Sequence, residues 1–198
     1  LPPEKRLSWI AALPPFMEQK IKDADHMRAL QSQLDLSLAW DAGPNAAVAH
    51  SPVPICRCPA DPVHDPRDTP GLTDYVGLAG VGPDATARPL NDPLAGVFGY
   101  KRIVHVDDVK KGLRETLMVT ETTRDNGPWT AGGPPTVRGA DPADAPYVGA
   151  GRAFGGTHPG GLNALFADGS AEFMTDDISP RVFELLTRLR RDDGPAAP

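Results

Sequence analysis

Apolar residues recur at Trp9, Ile10, Leu13, Phe16, Met17 and Ile21, the spacing of one helical face. Ser8 is placed to cap that helix. Pro14 and Pro15 predict a kink or break inside it. The stretch DADHMRALQSQLDLSLAW, 23–40, supplies a second helical piece ending near Trp40. Residues 41–54 have few strong formers and read as loop, with one short turn over 46–49. Between 52 and 71 a proline falls every few residues, which leaves an extended segment and forbids a central strand.

The pattern then changes period. TDYVGLAGVG, 73–82, reads as a strand edge followed by a glycine-rich loop. Over 95–109 the chain alternates in part and carries β-branched Ile103, Val104 and Val106, which predicts a strand. A core strand is centred on Leu117, Met118 and Val119. Residues 125–157 are rich in Gly and Pro and read as mostly loop, anchored by Trp129 and Tyr147. LNALFA and SAEFM flank Asp168-Gly169, a β-hairpin signal with a two-residue type I′ turn, in which both central residues need positive φ. The last element is an amphipathic helix. Ser179 caps it and Pro180 fits its first position. Val182, Phe183, Leu185, Leu186 and Leu189 form the apolar stripe, and Arg188, Arg190 and Arg191 complement the C-terminal dipole. No internal repeat or linker is visible, so residues 1–198 read as one domain.

Composition sharpens this picture. With 23 Pro, 20 Gly and only 6% aromatics in 198 residues, the chain is no helical bundle. Short strands and a few helices joined by long ordered loops fit better. The net charge is -6 and the basic residues are scattered, which argues against nucleic-acid binding. No apolar run approaches the roughly 20 residues that span a bilayer. LPPEKRLSWI resembles the middle of a domain, which predicts a further segment before Leu1. Cys56 and Cys58 are too close for an easy disulfide. They leave three readings: one buried thiol and one paired elsewhere, a strained local bridge, or a soft-metal site.

Candidate chemistry centres on HPGGLNALFADGS, 158–170. A hydrolase would pair His158 with Asp168 and a nucleophile such as Ser170. Against it, the turn already explains Asp168, Ser170 begins a strand, and no oxyanion loop follows a strand into a helix. The architectural reading is that His158 hydrogen-bonds local backbone and locks the loop to the hairpin, so that His158, Asp168 and Gly169 are a structural motif. His26, His50, His64 and His105 show no i, i+4 pairing, so zinc is unsupported. Acidic groups at Asp61, Asp65 and Asp68, at Asp107 and Asp108, and at Asp176 and Asp177 would suit calcium, or simply a solvated surface. A binding module would use Trp40, Tyr75, Trp129 and Tyr147 on the long loops.

The ordered motifs resemble a large bacterial family of unknown biochemical function, whose members carry a prepilin-type N-terminus and end in His-x9-Asp-Gly. His158, Asp168 and Gly169 match that ending. LSWIAALPPFMEQ is similar to an early SW…LLPYIEQ block. Trp40-Asp41 with Asn45, RCPADP through Cys58, Pro59 and Asp61, and TDYVGLAG match further blocks. Thr116, Glu121 and Trp129 match a DGxSNTxxxxE…PW block, where Lys111 replaces the usual aspartate and Arg114-Glu115 replace Ser-Asn. The resemblance implies a pilin-like α+β fold: N-terminal helical segments packed on an antiparallel sheet, with a C-terminal hairpin and helix. It implies the globular head of a pseudopilin-like protein, extracytoplasmic, whose membrane contact comes only through an N-terminal helix or a partner. Such an exported location permits disulfides, and in the family a cysteine often follows the hydrophobic helix, a partner that the resemblance would assign to Cys58 or Cys56. The function expected is a non-enzymatic structural subunit of an envelope, secretion or filament assembly, with protein subunits as partners and no cofactor. The alternative is an accessory subunit on a larger extracytoplasmic complex, and a hydrolase using His158 stands third.

Overall fold

The computed structural model describes residues 1–21, 23–61 and 71–191. The fold is mixed α+β and divides into two compact units: Leu1–Tyr75 with Asp125–Thr136, and Val76–Arg124 with Val137–Pro198. Among the described residues no helix is long and apolar enough to cross a membrane.

The first unit is built from short helical turns. Pro14 and Pro15 split the expected first helix into two 3-10 turns, Ile10–Ala12 and Pro14–Phe16, because proline cannot donate the helical hydrogen bond. Ile10 and Ala11 are buried while Phe16 is 84% exposed, so the apolar spacing does not become one buried face. Ser8 caps as expected: its Oγ accepts from Ala11 N at 3.2 Å and donates to Trp129 O at 2.5 Å. The second helical piece is shorter than its pattern, α1 (Ala24–Gln31). The brief turn at 46–49 is part of α2 (Pro44–Ala49). Ile10, Ala11, Met27, Leu30, Val48, Val53 and Cys56 pack around Trp129, whose indole Nε1 donates to Ser51 O at 3.2 Å. Trp129 thus anchors its loop, as its place among Gly and Pro suggested.

The second unit holds a five-stranded sheet: β1 (Tyr75–Val81), β2 (Leu117–Glu121), β3 (Val137–Ala140), β4 (Gly161–Phe166) and β5 (Ala171–Thr175). The order is β3-β1-β2-β4-β5. The sheet is mixed rather than antiparallel, because β1 and β3 run parallel, Gly77 opposite Val137 and Leu78 opposite Arg138. β1 is interior and buried along nearly its whole length, as a strand covered on both faces must be. Two strand expectations fail. β3 lies in a stretch read as mostly loop, and 95–109 is irregular apart from the turn Val106–Asp108 and a single bridge between Gly80 and Ala95.

The reason for the second failure is Arg102. Its guanidinium donates to the carbonyls of Gly96 (3.0 Å), Ala85 (2.9 Å), Arg88 (2.8 Å), Ala79 (2.7 Å) and Phe98. Five carbonyls are gathered on one side chain, and of these Ala79 and Ala85 also accept from a backbone N–H, from Gly96 at 2.8 Å and Arg88 at 3.4 Å. Ile103 and Val106, the β-branched residues behind the strand reading, are left 76% and 68% exposed.

α3 (Pro180–Thr187) closes the unit. Ser179 Oγ accepts from Val182 N at 3.3 Å and Pro180 occupies the first turn, as expected. Phe183 drives the packing, with ring centroids 5.3 Å from Tyr147 and 5.1 Å from Phe154. Tyr147 is buried and its hydroxyl donates to Glu184 Oε1 at 2.6 Å, which makes it an anchor too. The stripe is narrower than its pattern: Val182 is 46% exposed and Leu185 half-buried. Arg188 is buried rather than displayed at the helix end, 3.8 Å from Glu184.

Candidate functional site

His158 and Asp168 stand at opposite ends of β4, one before Gly161 and one after Phe166. Six residues rising about 3.3 Å each keep them apart. They are two separate devices, and no His-Asp pair forms.

At the Asp168 end the turn is wider than expected. Leu165 pairs with Ala171, Gly169 N donates to Phe166 O at 3.0 Å, and Phe166 N donates to Ser170 O at 2.9 Å. Only Gly169 has positive φ, +87°, and Asp168 does not. This is a three-residue loop, Ala167 to Gly169, with glycine at the left-handed position, and not a type I′ turn. Asp168 Oδ1 accepts from Ser170 N at 2.9 Å and Ser170 Oγ at 2.6 Å, an Asx turn. Those two bonds, the hydroxyl's first, hold the exposed Asp168 carboxyl below the usual carboxylate range. The Ser170 hydroxyl is a donor to this turn and is remote from His158.

A substitution pair checks that assignment. Nothing lies within 4 Å of a Cβ added at Gly169, so Gly169→Ala costs only backbone strain, about 1 kcal/mol or more. Asp168→Asn keeps an acceptor for Ser170 and is expected to cost less. Urea midpoints of the two variants rank them, and a larger loss in Asp168→Asn would refute a purely structural Asp168.

At the His158 end the partner is Glu121, the last residue of β2. The β2 carbonyl there accepts from Gly155 N at 3.1 Å, so it is not available to β4. The Glu121 carboxylate takes its place: Oε2 accepts Asn163 N at 2.8 Å, and Oε1 accepts Asn163 Nδ2 at 3.1 Å. His158 Nε2 lies 3.0 Å from Asn163 Nδ2 and 3.3 Å from Glu121 Oε1. A neutral ring protonated on Nδ1 accepts the amide proton, whereas a ring protonated on Nε2 donates to the carboxylate. The Glu121 side chain is 3% exposed and the His158 ring 28%. Gly156 makes room for the carboxylate, since a Cβ there would fall 2.5 Å from Glu121 Oε2. His158 thus meets side chains of both β2 and β4, Glu121 and Asn163.

Cys56 and Cys58 are both buried, and no disulfide joins them. Burial, then Asp74, pushes the Cys56 thiol up to about 12, which keeps it protonated and unreactive. Asp74 also accepts from Cys58 N at 2.7 Å. Of the acidic residues, Asp61 pairs with Arg57 at 3.1 Å, Asp108 accepts from His105 N at 2.8 Å, and Asp177 accepts from Thr175 Oγ1. Asp65, Asp68 and His64 lie outside the described residues. Asn163 was not singled out by its pattern, and Glu121 only through the family motif. An acidic residue closing a run of apolar and Thr residues, LMVTE, was the available signal for Glu121.

Residues 2–141 and 129–181 match SBP_bac_10, a family described as protein of unknown function DUF1559. No curated protein and no solved structure matches the chain.

Proposed function

This chain belongs to the DUF1559 family, and from that premise we propose that it is a non-enzymatic, exported structural subunit: the pseudopilin-like globular part of an envelope assembly. The observation that carries the reading is how the family's His-x9-Asp-Gly residues are used. Asp168 is spent on its own turn, and His158 on Asn163 and Glu121. Both Glu121 oxygens already accept from Asn163. Groups whose lone pairs and protons are committed to one another hold loops in place, and they support a scaffold role over proton transfer. The N-terminal prepilin-type pattern of the resembling family supports export, and a pilin-like arrangement is part of the same proposal.

Fractionation and cross-linking of the full-length protein in its own cells test the reading. The expected result is an extracytoplasmic protein cross-linked to other envelope subunits. A cytoplasmic protein, or one that forms no cross-links at native abundance, refutes it.

A further inference from the structure

One face of α3 and the residues that follow it line an open cleft of about 500 Å³ together with Lys111 and Glu115. That volume is within the range of small-molecule sites. Val182, Leu185 and Leu186 supply an apolar lining. Around it stand Lys111, Arg181, Arg190 and Arg191, four basic groups against the single acid Glu115. We propose that this cleft binds a small organic carboxylate, with its apolar stem on Val182, Leu185 and Leu186 and its anionic head among the four cations.

Three features support the assignment. First, the Lys111 amine is held in place. Lys111 is 8% exposed, and its ammonium donates to the carbonyls of Leu185 and, at 2.8 Å, Leu186, at the negative end of the α3 dipole. Lys111 N reaches Leu189 O at 3.3 Å, and Leu189 N reaches Ala95 O at 2.9 Å, so Leu189, the residue before Arg190, is pinned through both its backbone groups. Second, Arg190 Nε is buried and meets no acceptor among the described residues. A buried charged donor without an acceptor is costly, and an anion in the cleft would supply one. Third, Arg191 Nη2 already holds the Glu115 carboxylate, at 3.1 and 3.4 Å from its two oxygens, which shows the head-group chemistry that this rim accepts. Burial also lowers the Lys111 pKa to about 7, against Glu115, which raises it, and with Arg188 and Arg191, which lower it further. An incoming carboxylate would stabilise the charged amine.

The inference is independent of export and assembly. Calorimetry on the purified chain with hexanoate tests it, with acetate as the head alone and hexanamide as its uncharged counterpart. Hexanoate is expected to bind at least about tenfold more tightly than either, since one charge-assisted hydrogen bond is worth that much. Arg190→Gln and Arg181→Gln should each weaken hexanoate by a similar factor. Arg181 is exposed, so its variant keeps the test valid if Arg190→Gln loosens the fold. Equal binding of hexanoate and hexanamide overturns the proposal, as does hexanoate affinity unchanged in both variants. Binding to anionic phospholipid vesicles without binding to hexanoate would assign the cations to a membrane surface and overturn it as well.

Discussion

Glu121→Ala is expected to destabilise the second unit by about 3–5 kcal/mol, the sum of two charge-assisted hydrogen bonds and a buried donor left without an acceptor. The donor is Asn163 N, which reaches only the Glu121 carboxylate at 2.8 Å because the Glu121 carbonyl is taken by Gly155. Asn163 Nδ2 keeps His158 Nε2 as a partner, so that part of the loss is smaller. Glu121→Gln should cost less, about 1–2 kcal/mol, because the amide oxygen still serves Asn163 N. Its NH2 then faces the Asn163 amide, which must turn to offer its own oxygen. Urea unfolding of the two variants measures both values. An Ala variant as stable as the Gln variant would show that Glu121 is not the acceptor on which this end of the sheet depends. A catalytic Glu121 would give a different pattern: an activity lost in Glu121→Gln with the unfolding midpoint unchanged.

Arg102→Ala should cost a comparable amount, about 3–5 kcal/mol, because the Gly96, Arg88 and Phe98 carbonyls lose a charge-assisted bond, and Ala79 and Ala85 keep only their backbone donors, Gly96 N at 2.8 Å and Arg88 N at 3.4 Å. Burial pulls the guanidinium down to about 10, still far above neutral, so the side chain acts as a cation throughout the physiological range. Arg102→Lys is the informative variant. An ammonium keeps the charge but has three donors in a compact cluster, whereas the planar fork presents five. It cannot reach Ala79, Ala85, Arg88, Gly96 and Phe98 together, so it should recover less than half of the loss. Amide exchange across 82–102 provides a local check, since the loop should lose protection before the sheet does. Full rescue by lysine would mean that charge, and not the geometry of the fork, holds the loop.

These two side chains also mark where the sequence stops being readable. The start of α3 was legible because Ser179 and Pro180 act within one turn, on donors three residues away. The break at Pro14 and Pro15 was legible for the same reason. The place of the hairpin was legible from Asp168-Gly169, but its length was not. A two-residue and a three-residue loop both take glycine, and only the pairing of Leu165 with Ala171 counts Ala167 into the turn. Ile103, Val104 and Val106 have the propensity of a strand, yet the five carbonyls on Arg102 outweigh it. β3 has a glycine and no alternation, and it is a strand only because β1 lies beside it.

The site divides the same way. The sequence by itself determined that His158 and Asp168-Gly169 bracket a strand, that Gly169 stands at the turn, and that Trp129 and Tyr147 anchor loops. Each of these follows from local geometry or from the size of a side chain that must be buried. The tertiary structure alone decided that His158 meets Glu121 and Asn163, that Asp168 meets neither, and that four cations surround one apolar cleft beside α3. Glu121 and Asn163 lie 42 residues apart in the chain, and Lys111 is 74 residues from the Leu185 carbonyl it caps. Contacts at that separation are fixed by which strands pair and in which register, and those depend on burying a whole sheet at once, a free energy that no short stretch of sequence contains.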